Sequence, residues 1–351
     1  MSKNVNRIIL GIESSCDETA AALVEHQGGI FKVRSNVVWS QIKIHQKYGG
    51  VVPEIAARNH IKKILPIIDL AFKKTKIKPQ EISGIAVTAG PGLITSLLIG
   101  VQTAKTLAYL WQKPLYAINH LKAHLYANWL NNEPVNFPAV CLIVSGGHTE
   151  LILMKDKNNL KKIGETLDDA AGEAFDKVAQ LLKIGYPGGP AIARLALRGN
   201  SKAFKFPRPI INSDNFNFSF SGLKTAVLYT LKNLKPTTYP DVKLGSRPKR
   251  RDKLQANLCA SFQQAVVDVL IAKTFKAAGY YGAKTVMLSG GVAANKLLRE
   301  TYKLQATSYK LNPLIPSLEY CTDNAAMIAA AAFFAKPTPW QKIKVDPNWE
   351  I

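Results

Sequence analysis

Apolar residues recur along this chain in two rhythms, and each rhythm predicts a kind of element. Ile8, Ile9, Leu10 and Ile12 make a short apolar run that reads as a strand, and residues 20–24, after a polar turn, read as its partner. Residues 30–38 alternate weakly and extend the meander. From 54 to 74, Ile55, Ile61, Ile64, Leu65, Ile68 and Leu70 follow helical spacing, with Pro66 a candidate kink. Residues 84–88 predict a buried strand. Residues 95–111 predict a helix capped by Thr95 or Ser96, and 115–118 a strand leading into a helix that carries two histidines.

The segment 131–134, Asn-Asn-Glu-Pro, looks like a boundary, and the same grammar restarts beyond it. Residues 139–144 read as a strand, 145–149 as a glycine turn and 150–154 as the returning strand, echoing residues 8–24. Two related α/β lobes follow from this repetition. A helix around 256–278 and a strand at 285–288 precede another turn, and the alanine-rich run 323–335 reads as a late helix suited to tight packing. The segments 204–220 and 235–253 read as long loops.

Composition narrows the class. The apolar fraction is 47% and mean hydropathy is −0.01, which fits a globular chain. No apolar run reaches the ~20 residues of a membrane span, and no signal-peptide pattern is seen, so a cytoplasmic protein is expected. Cys16, Cys141, Cys259 and Cys321 are far apart, which argues against a disulfide framework or zinc ribbon. Cys16 stands in a polar loop, as a reactive thiol or a small loop-filling residue. Lysine and arginine number 46 against 24 acidic residues, a formal charge of +22 that attracts polyanions, nucleic acid foremost. Lysine-rich codon usage is the bland alternative. The densest basic block is 247–253.

Candidate chemistry gathers at the turns. Four strand ends run into small-residue turns: 13–19, 89–92, 145–149 and 289–295. Glycines there let backbone N–H groups approach a phosphate, although neither the Rossmann nor the P-loop pattern occurs. Asp17 is a candidate metal or water holder with an Asx-type turn as its rival role. Asp168 and Asp169 suit capping of the helix that follows them. Asp176 lies further in and suits a ribose hydroxyl or a solvated helix face. His120 and His124, four residues apart on one helix face, can grip one metal ion, or be chance neighbours. Asp323 is a candidate third ligand, with helix N-cap as its competing role and Thr322 as rival for that cap. Two histidines and a carboxylate suit zinc or non-haem iron without choosing between them.

These segments resemble, in order and over nearly the whole chain, the TsaD family of proteins, also called Gcp or YgjD. The matching residues include Gly11-Ile12-Glu13-Ser14-Ser15-Cys16-Asp17-Glu18-Thr19, the run 49–60 with Gly49-Gly50-Val51-Val52-Pro53-Glu54, Asn119-His120-Leu121-Lys122-Ala123-His124, Val144-Ser145-Gly146-Gly147-His148-Thr149, residues 168–177, Tyr186-Pro187-Gly188-Gly189-Pro190, residues 218–225 and 289–295, and Cys321-Thr322-Asp323-Asn324. The resemblance implies an actin-like (ASKHA, RNase H-like) α/β fold of two related lobes, mixed sheets flanked by helices. The lobes are expected at 1–133, with the helix 323–335 packing back on it, and 134–322, with the nucleotide and metal sites in the cleft between them. It implies transfer of a threonylcarbamoyl group from threonylcarbamoyl-adenylate to N6 of adenosine 37 in tRNAs reading ANN codons. His120, His124 and Asp323 would bind one divalent metal, iron ahead of zinc. Ile143, Val144, Ser145, Gly146, Gly147, Asp176, Gly189 and Asn295 would hold the adenylate, and Asp17 and Glu18 would lie near the reaction centre. TsaB-like and TsaE-like partners are implied, with a TsaC-like enzyme supplying the adenylate. The chain departs from the family pattern in its more basic 235–253 loop and in lacking an acidic contact near Arg194.

Three rival readings remain. A metalloprotease would need the glutamate of HExxH, and Leu-Lys-Ala stands between these histidines. An actin-like ATPase or small-molecule kinase is permitted by fold alone, although such enzymes need only Mg²⁺ and carboxylates. A basic nucleic-acid scaffold would explain the charge but not the histidine pair.

Overall fold

Both strand–turn–strand repeats of the sequence form antiparallel pairs, each at the heart of a five-stranded sheet. The computed structural model describes residues 6–233 and 248–351, and side chains of the second stretch from residue 252. Residues 235–247 of the expected loop lie outside the described residues, whereas 248–253, most of the basic block, open a helix instead of continuing the loop. The chain order begins β1 (Arg7–Glu13), β2 (Glu18–Gln27), β3 (Ile30–Ser40), α1 (Ile42–His45), α2 (Pro53–Lys73), β4 (Gly84–Gly90), α3 (Ile94–Trp111), β5 (Leu115–Asn119) and α4 (His120–Tyr126). It continues with β6 (Ala139–Val144), β7 (Thr149–Met154), β8 (Leu160–Glu165), α5 (Ala171–Leu182), α6 (Gly188–Ala196), α7 (Ser221–Asn233) and α8 (Pro248–Tyr280). The last elements are β9 (Thr285–Ser289), α9 (Lys296–Ser308), β10 (Asn312–Leu314) and α10 (Ala325–Ala332).

The first sheet runs β3-β2-β1-β4-β5 and the second, read the same way, β8-β7-β6-β9-β10. β1 is antiparallel to β2 and parallel to β4, as β6 is to β7 and β9. The lobes are thus one topology used twice. The chain divides into two compact units: residues 1–135, 156–160 and 314–351, and residues 136–155 and 161–313. β6 is buried along its whole length, as expected of a near-continuous apolar run with both faces covered. α2 continues through Pro66, and its apolar residues divide: Ile64 and Ile68 face the core, whereas Ile61 and Leu65 are exposed.

α10 controls the first unit. All eight of its residues are buried, six of them alanine, and it packs with Ile9, Ala20, Ala22 and Val24 of the first sheet. The contact is backbone to backbone at β1, where a Cβ on Gly11 would overlap the Ala325 carbonyl oxygen and lie 2.9 Å from Ala329 N. Only glycine fits there, for reasons of space.

Two expected caps are corrected. α3 is preceded by Leu93 with no side-chain cap, and neither Thr95 nor Ser96 serves. Leu93 N instead donates to Ser15 O at 2.8 Å, so the helix start is satisfied by a neighbouring loop. α10 starts later than the alanine run suggested, and its N-cap is Asn324, whose Oδ1 accepts from Met327 N at 3.0 Å. Neither Asp323 nor Thr322 is the cap, which leaves the Asp323 carboxylate free for other work.

The expectation that no run could span a membrane is also adjusted. Residues 252–280 of α8 pass that test by length and composition, but 83% of the apolar window is buried inside the fold. Lys273 within it is fully buried and donates to Ser213 Oγ at 2.6 Å and Asn215 O at 2.9 Å. α8 is a core helix of the second unit.

Gly11→Ala should destabilise the chain by about 1–3 kcal/mol in urea unfolding, through overpacking against α10. An unchanged midpoint would show that the two backbones do not meet this closely.

Candidate metal centre and phosphate-binding turns

β5 ends on Asn119, whose Oδ1 accepts from Lys122 N at 3.0 Å and so caps α4. His120 is the first residue of that helix, and His124 follows one turn later on the same face. The residue before the α10 cap supplies the carboxylate. Asp323 Oδ1 lies 3.3 Å from His120 Nε2 and 3.2 Å from His124 Nε2. The imidazoles meet edge to face with centroids 4.8 Å apart. One ligand atom from each of the three residues lies within 4.8 Å of the others, a group able to hold one divalent metal ion.

The residues fit such an ion. Beyond the Asp323 carboxylate 3.2 Å from Nε2, neither ring nitrogen of His124 has a hydrogen-bond partner, which leaves the imidazole available to an ion. His120 is oriented from behind. Glu13 Oε2 lies 2.9 Å from His120 Nδ1, Thr88 Oγ1 donates to the same oxygen at 2.7 Å, and Ser15 N donates to Glu13 Oε1 at 2.5 Å. A carboxylate at Nδ1 keeps a proton there and directs Nε2 at Asp323, where a metal ion would displace the second proton. Glu13 was missed in the sequence, although a carboxylate closing an apolar strand and fully buried was its signal.

Electrostatics follow this geometry. Burial disfavours the charge on Asp323, but the charge and hydrogen bond of His120 outweigh it and hold the carboxyl well below the usual range. Burial likewise disfavours protonated His120, yet Asp323 and Glu13 outweigh it and raise the imidazole well above its ordinary value. His124 is pushed down, by burial first.

The 14–18 loop beside this centre is locked on several sides. Gln41 N donates to Asp17 O at 3.1 Å. His60 Nε2 lies 2.9 Å from Cys16 O and its Nδ1 2.8 Å from Thr19 Oγ1. The carbonyl can only accept, so Nε2 carries the proton and Nδ1 accepts from the threonine. Burial, then the neighbouring carboxylates Asp17, Asp323 and Glu18, push the Cys16 thiol far up, so it fills the loop and is no nucleophile. Burial and the charges of Asp17 and Asp323 also hold Glu18 well above the carboxylate range, while Ser40 Oγ donates to it at 2.9 Å.

The second unit assembles the glycine turns. Gly172 N donates to Ser145 O at 3.1 Å and Ala171 N to Thr149 Oγ1 at 2.9 Å, docking the start of α5 on the 145–149 turn. Asp176 Oδ1 accepts from Gly188 N at 2.6 Å and holds the start of α6 against α5. Gly290, at φ +91, packs its Cα on the Val144 backbone. A Cβ on Gly146, Gly147, Gly189 or Gly291 would meet nothing, so these backbones face open space. Ile143 and Val144 are fully buried, which leaves only their main chain for a ligand. Asn295 caps α9 through Leu298 N at 3.1 Å and donates to Gln263 Oε1 at 2.8 Å.

Asp168 does not cap its own following helix. It accepts from Ser219 Oγ, Phe220 N, Ser221 N and Ser221 Oγ at 2.5–3.1 Å, at the start of α7. These hydrogen bonds outweigh desolvation and lower its pKa. Asp169 pairs with Lys177 at 2.6 Å, and the N-cap of α5, Ala170, gives no side-chain cap.

The topology is actin-like, and the first unit carries a two-histidine, one-carboxylate centre. The family model described as "TsaD: tRNA N6-adenosine threonylcarbamoyltransferase" matches residues 32–330, and the chain belongs to that family. Relatives bearing the name tRNA N6-adenosine threonylcarbamoyltransferase include those of Thermomicrobium roseum, 50% identical over 93% of this chain and 91% of the relative, and Bacillus subtilis, 48% identical over 95% and 92%. Among solved structures, component A of (R)-2-hydroxyglutaryl-CoA dehydratase from Acidaminococcus fermentans aligns with TM-score 0.51 at 14% identity over 97% of this chain and 99% of that one. HypF from T. kodakarensis aligns with TM-score 0.59 at 13% identity over 94% of this chain and 47% of its own. These distant likenesses show the fold alone.

Metal uptake should release about one proton at neutral pH, because His120 must lose the proton its neighbours favour; calorimetry in buffers of different ionisation enthalpy measures this. Affinity should therefore fall as pH drops through the raised His120 value. Without metal the sign is opposite for stability. His120 is raised above its unfolded 6.5, so its contribution is complete below that pH and fades as pH climbs through the folded value. Glu13→Gln, which keeps shape but loses charge, should weaken metal binding about 10–100-fold; full affinity would remove Glu13 from the account.

Proposed function

We propose that this chain transfers the threonylcarbamoyl group from threonylcarbamoyl-adenylate to N6 of adenosine 37 in tRNAs reading ANN codons. The observation that carries the reading is the His120–His124–Asp323 group, its two histidines buried, in a chain of this family. His120, His124 and Asp323 would hold a divalent ion, iron in preference to zinc, which would supply Lewis acidity towards the carbamoyl carbonyl. N6 attacks the carbonyl carbon, the bond from that carbon to the phosphate oxygen breaks, and AMP leaves with the electron pair. The exposed backbone of Gly146 and Gly147 would hold the phosphate through its N–H groups. Asp176 and the Gly188–Gly189 backbone would receive the ribose side, with Asn295 shaping the adjoining turn. Asp17 is the acceptor for the N6 proton, and Glu18, whose carboxyl burial and the Asp17 charge push up, lies beside the reaction centre.

The formal charge of +22 supports phosphate-dominated tRNA binding. TsaB-like and TsaE-like partners belong to the same proposal, with a TsaC-like enzyme supplying the adenylate in the cytoplasm. A groove lined by Ile61, Ile64, Leu65, Ile99 and Leu107 on α2 and α3 is compatible with a protein partner.

Purified chain, tRNA, threonine, bicarbonate and ATP, with and without those partners, make the direct test. Radiolabelled threonine should enter tRNA. His120→Ala should abolish transfer with the fold intact, and full transfer by that folded variant without metal would sink the Lewis-acid role. tRNA affinity should also fall steeply with salt, log–log linear.

A further inference from the structure

The metal helix has a second anchor that the proposed chemistry does not use. Asn119 is almost fully buried, and its side chain works in two directions. Its oxygen caps α4, while Nδ2 donates to Trp349 O at 2.8 Å and lies 3.3 Å from Glu350 O. Those carbonyls belong to a segment that runs along the edge of the first unit from Thr338, whose N donates to Leu115 O at 2.8 Å. Asp346 N donates to Ala89 O at 2.8 Å and Gly92 N to Pro347 O at 3.2 Å, so the segment also grips the 89–92 turn. A side chain on Gly90 would overlap the Asp346 carbonyl, which shows how closely the segment lies. Ile343, Val345 and Trp349 hold it down by packing on the sheet core.

The 89–92 turn connects back to the metal centre by a second route. Leu93 N donates to Ser15 O, and Ser15 Oγ lies 3.3 Å from His120 Nδ1. The segment therefore touches the cap residue that begins the helix of His120 directly, and reaches its ring through the 89–92 turn and Ser15 behind it. His120 is the first residue of a seven-residue helix, and so short a helix is marginal on its own. Its direction is set by what holds its first turn.

We propose that residues Asp346–Glu350 are a positioning strap for the metal centre, acting through Asn119 to aim the first turn of α4 and hence His120 Nε2. Asn119 and Trp349 are positioning residues and touch no substrate. The inference rests on the reading of His120, His124 and Asp323 as metal ligands, and its test separates the two.

The experiment titrates Co²⁺ into the metal-depleted full chain and reads affinity and the d–d absorption spectrum. Asn119→Ser keeps a hydroxyl acceptor for Lys122 N but lacks the amide that reaches the strap. Trp349→Gly leaves Asn119 intact and removes the strap's apolar anchor, while Trp349→Phe keeps an aromatic one. Asn119→Ser and Trp349→Gly should each weaken Co²⁺ binding about tenfold and alter the spectrum, and Trp349→Phe should restore both. The double variant should be no weaker than the weaker single one, because both act through one contact. Native affinity and spectrum in either folded single variant, or additive losses in the double, would overturn the strap. If the native chain takes no Co²⁺ at His120, the metal reading itself fails, and the strap with it.

Discussion

The close approach of α10 to β1 at Gly11 is the constraint on which the first unit depends. A helix of small residues can lie backbone to backbone on a strand only if the strand offers no side chain there, and β1 offers glycine at that position. This contact fixes where the chain is when it reaches Asp323, two residues ahead of α10. A carboxylate some 200 residues from the histidines in sequence thereby arrives within 3.3 Å of both Nε2 atoms. Local helical spacing pairs the two histidines, and packing brings the third candidate ligand to them.

The same unit spends its buried polar groups on one purpose. Glu13, Thr88, Ser15 and His120 form a connected network, and His60 and Gln41 pin the adjacent loop. Buried networks of this kind are tolerable only when their members are satisfied, since a low-dielectric interior makes each lone polar atom costly. His124 is one exception among the described residues, with no hydrogen-bond partner at Nδ1 and only the Asp323 carboxylate beside Nε2. That exception sits in the group able to hold one divalent ion.

Much of this was legible in the sequence, and the failures have physical causes. The paired strand runs and glycine turns revealed the repeated topology because the apolar period survives wherever one sheet is buried twice. The histidine pair was visible because helical spacing is local. Caps were the weak point. Asn324 displaced Asp323, Leu93 stood where Thr95 or Ser96 was expected, and Asp168 served α7 rather than α5, because a cap needs only one acceptor and any passing loop can provide it. Glu13 escaped notice because its partner, His120, is more than a hundred residues away. The strap's grip on Asn119 rests on backbone carbonyls, which carry no residue signature at all.

The central claim is that His120, His124 and Asp323 are the ligands of one divalent ion in a threonylcarbamoyl transferase. X-ray absorption spectroscopy on the iron-loaded full chain tests it most directly. The account predicts two imidazole nitrogens and at least one carboxylate oxygen around the metal, with the imidazole signal halved in His124→Ala. A spectrum with thiolate ligands, or one unchanged by that substitution, would contradict it.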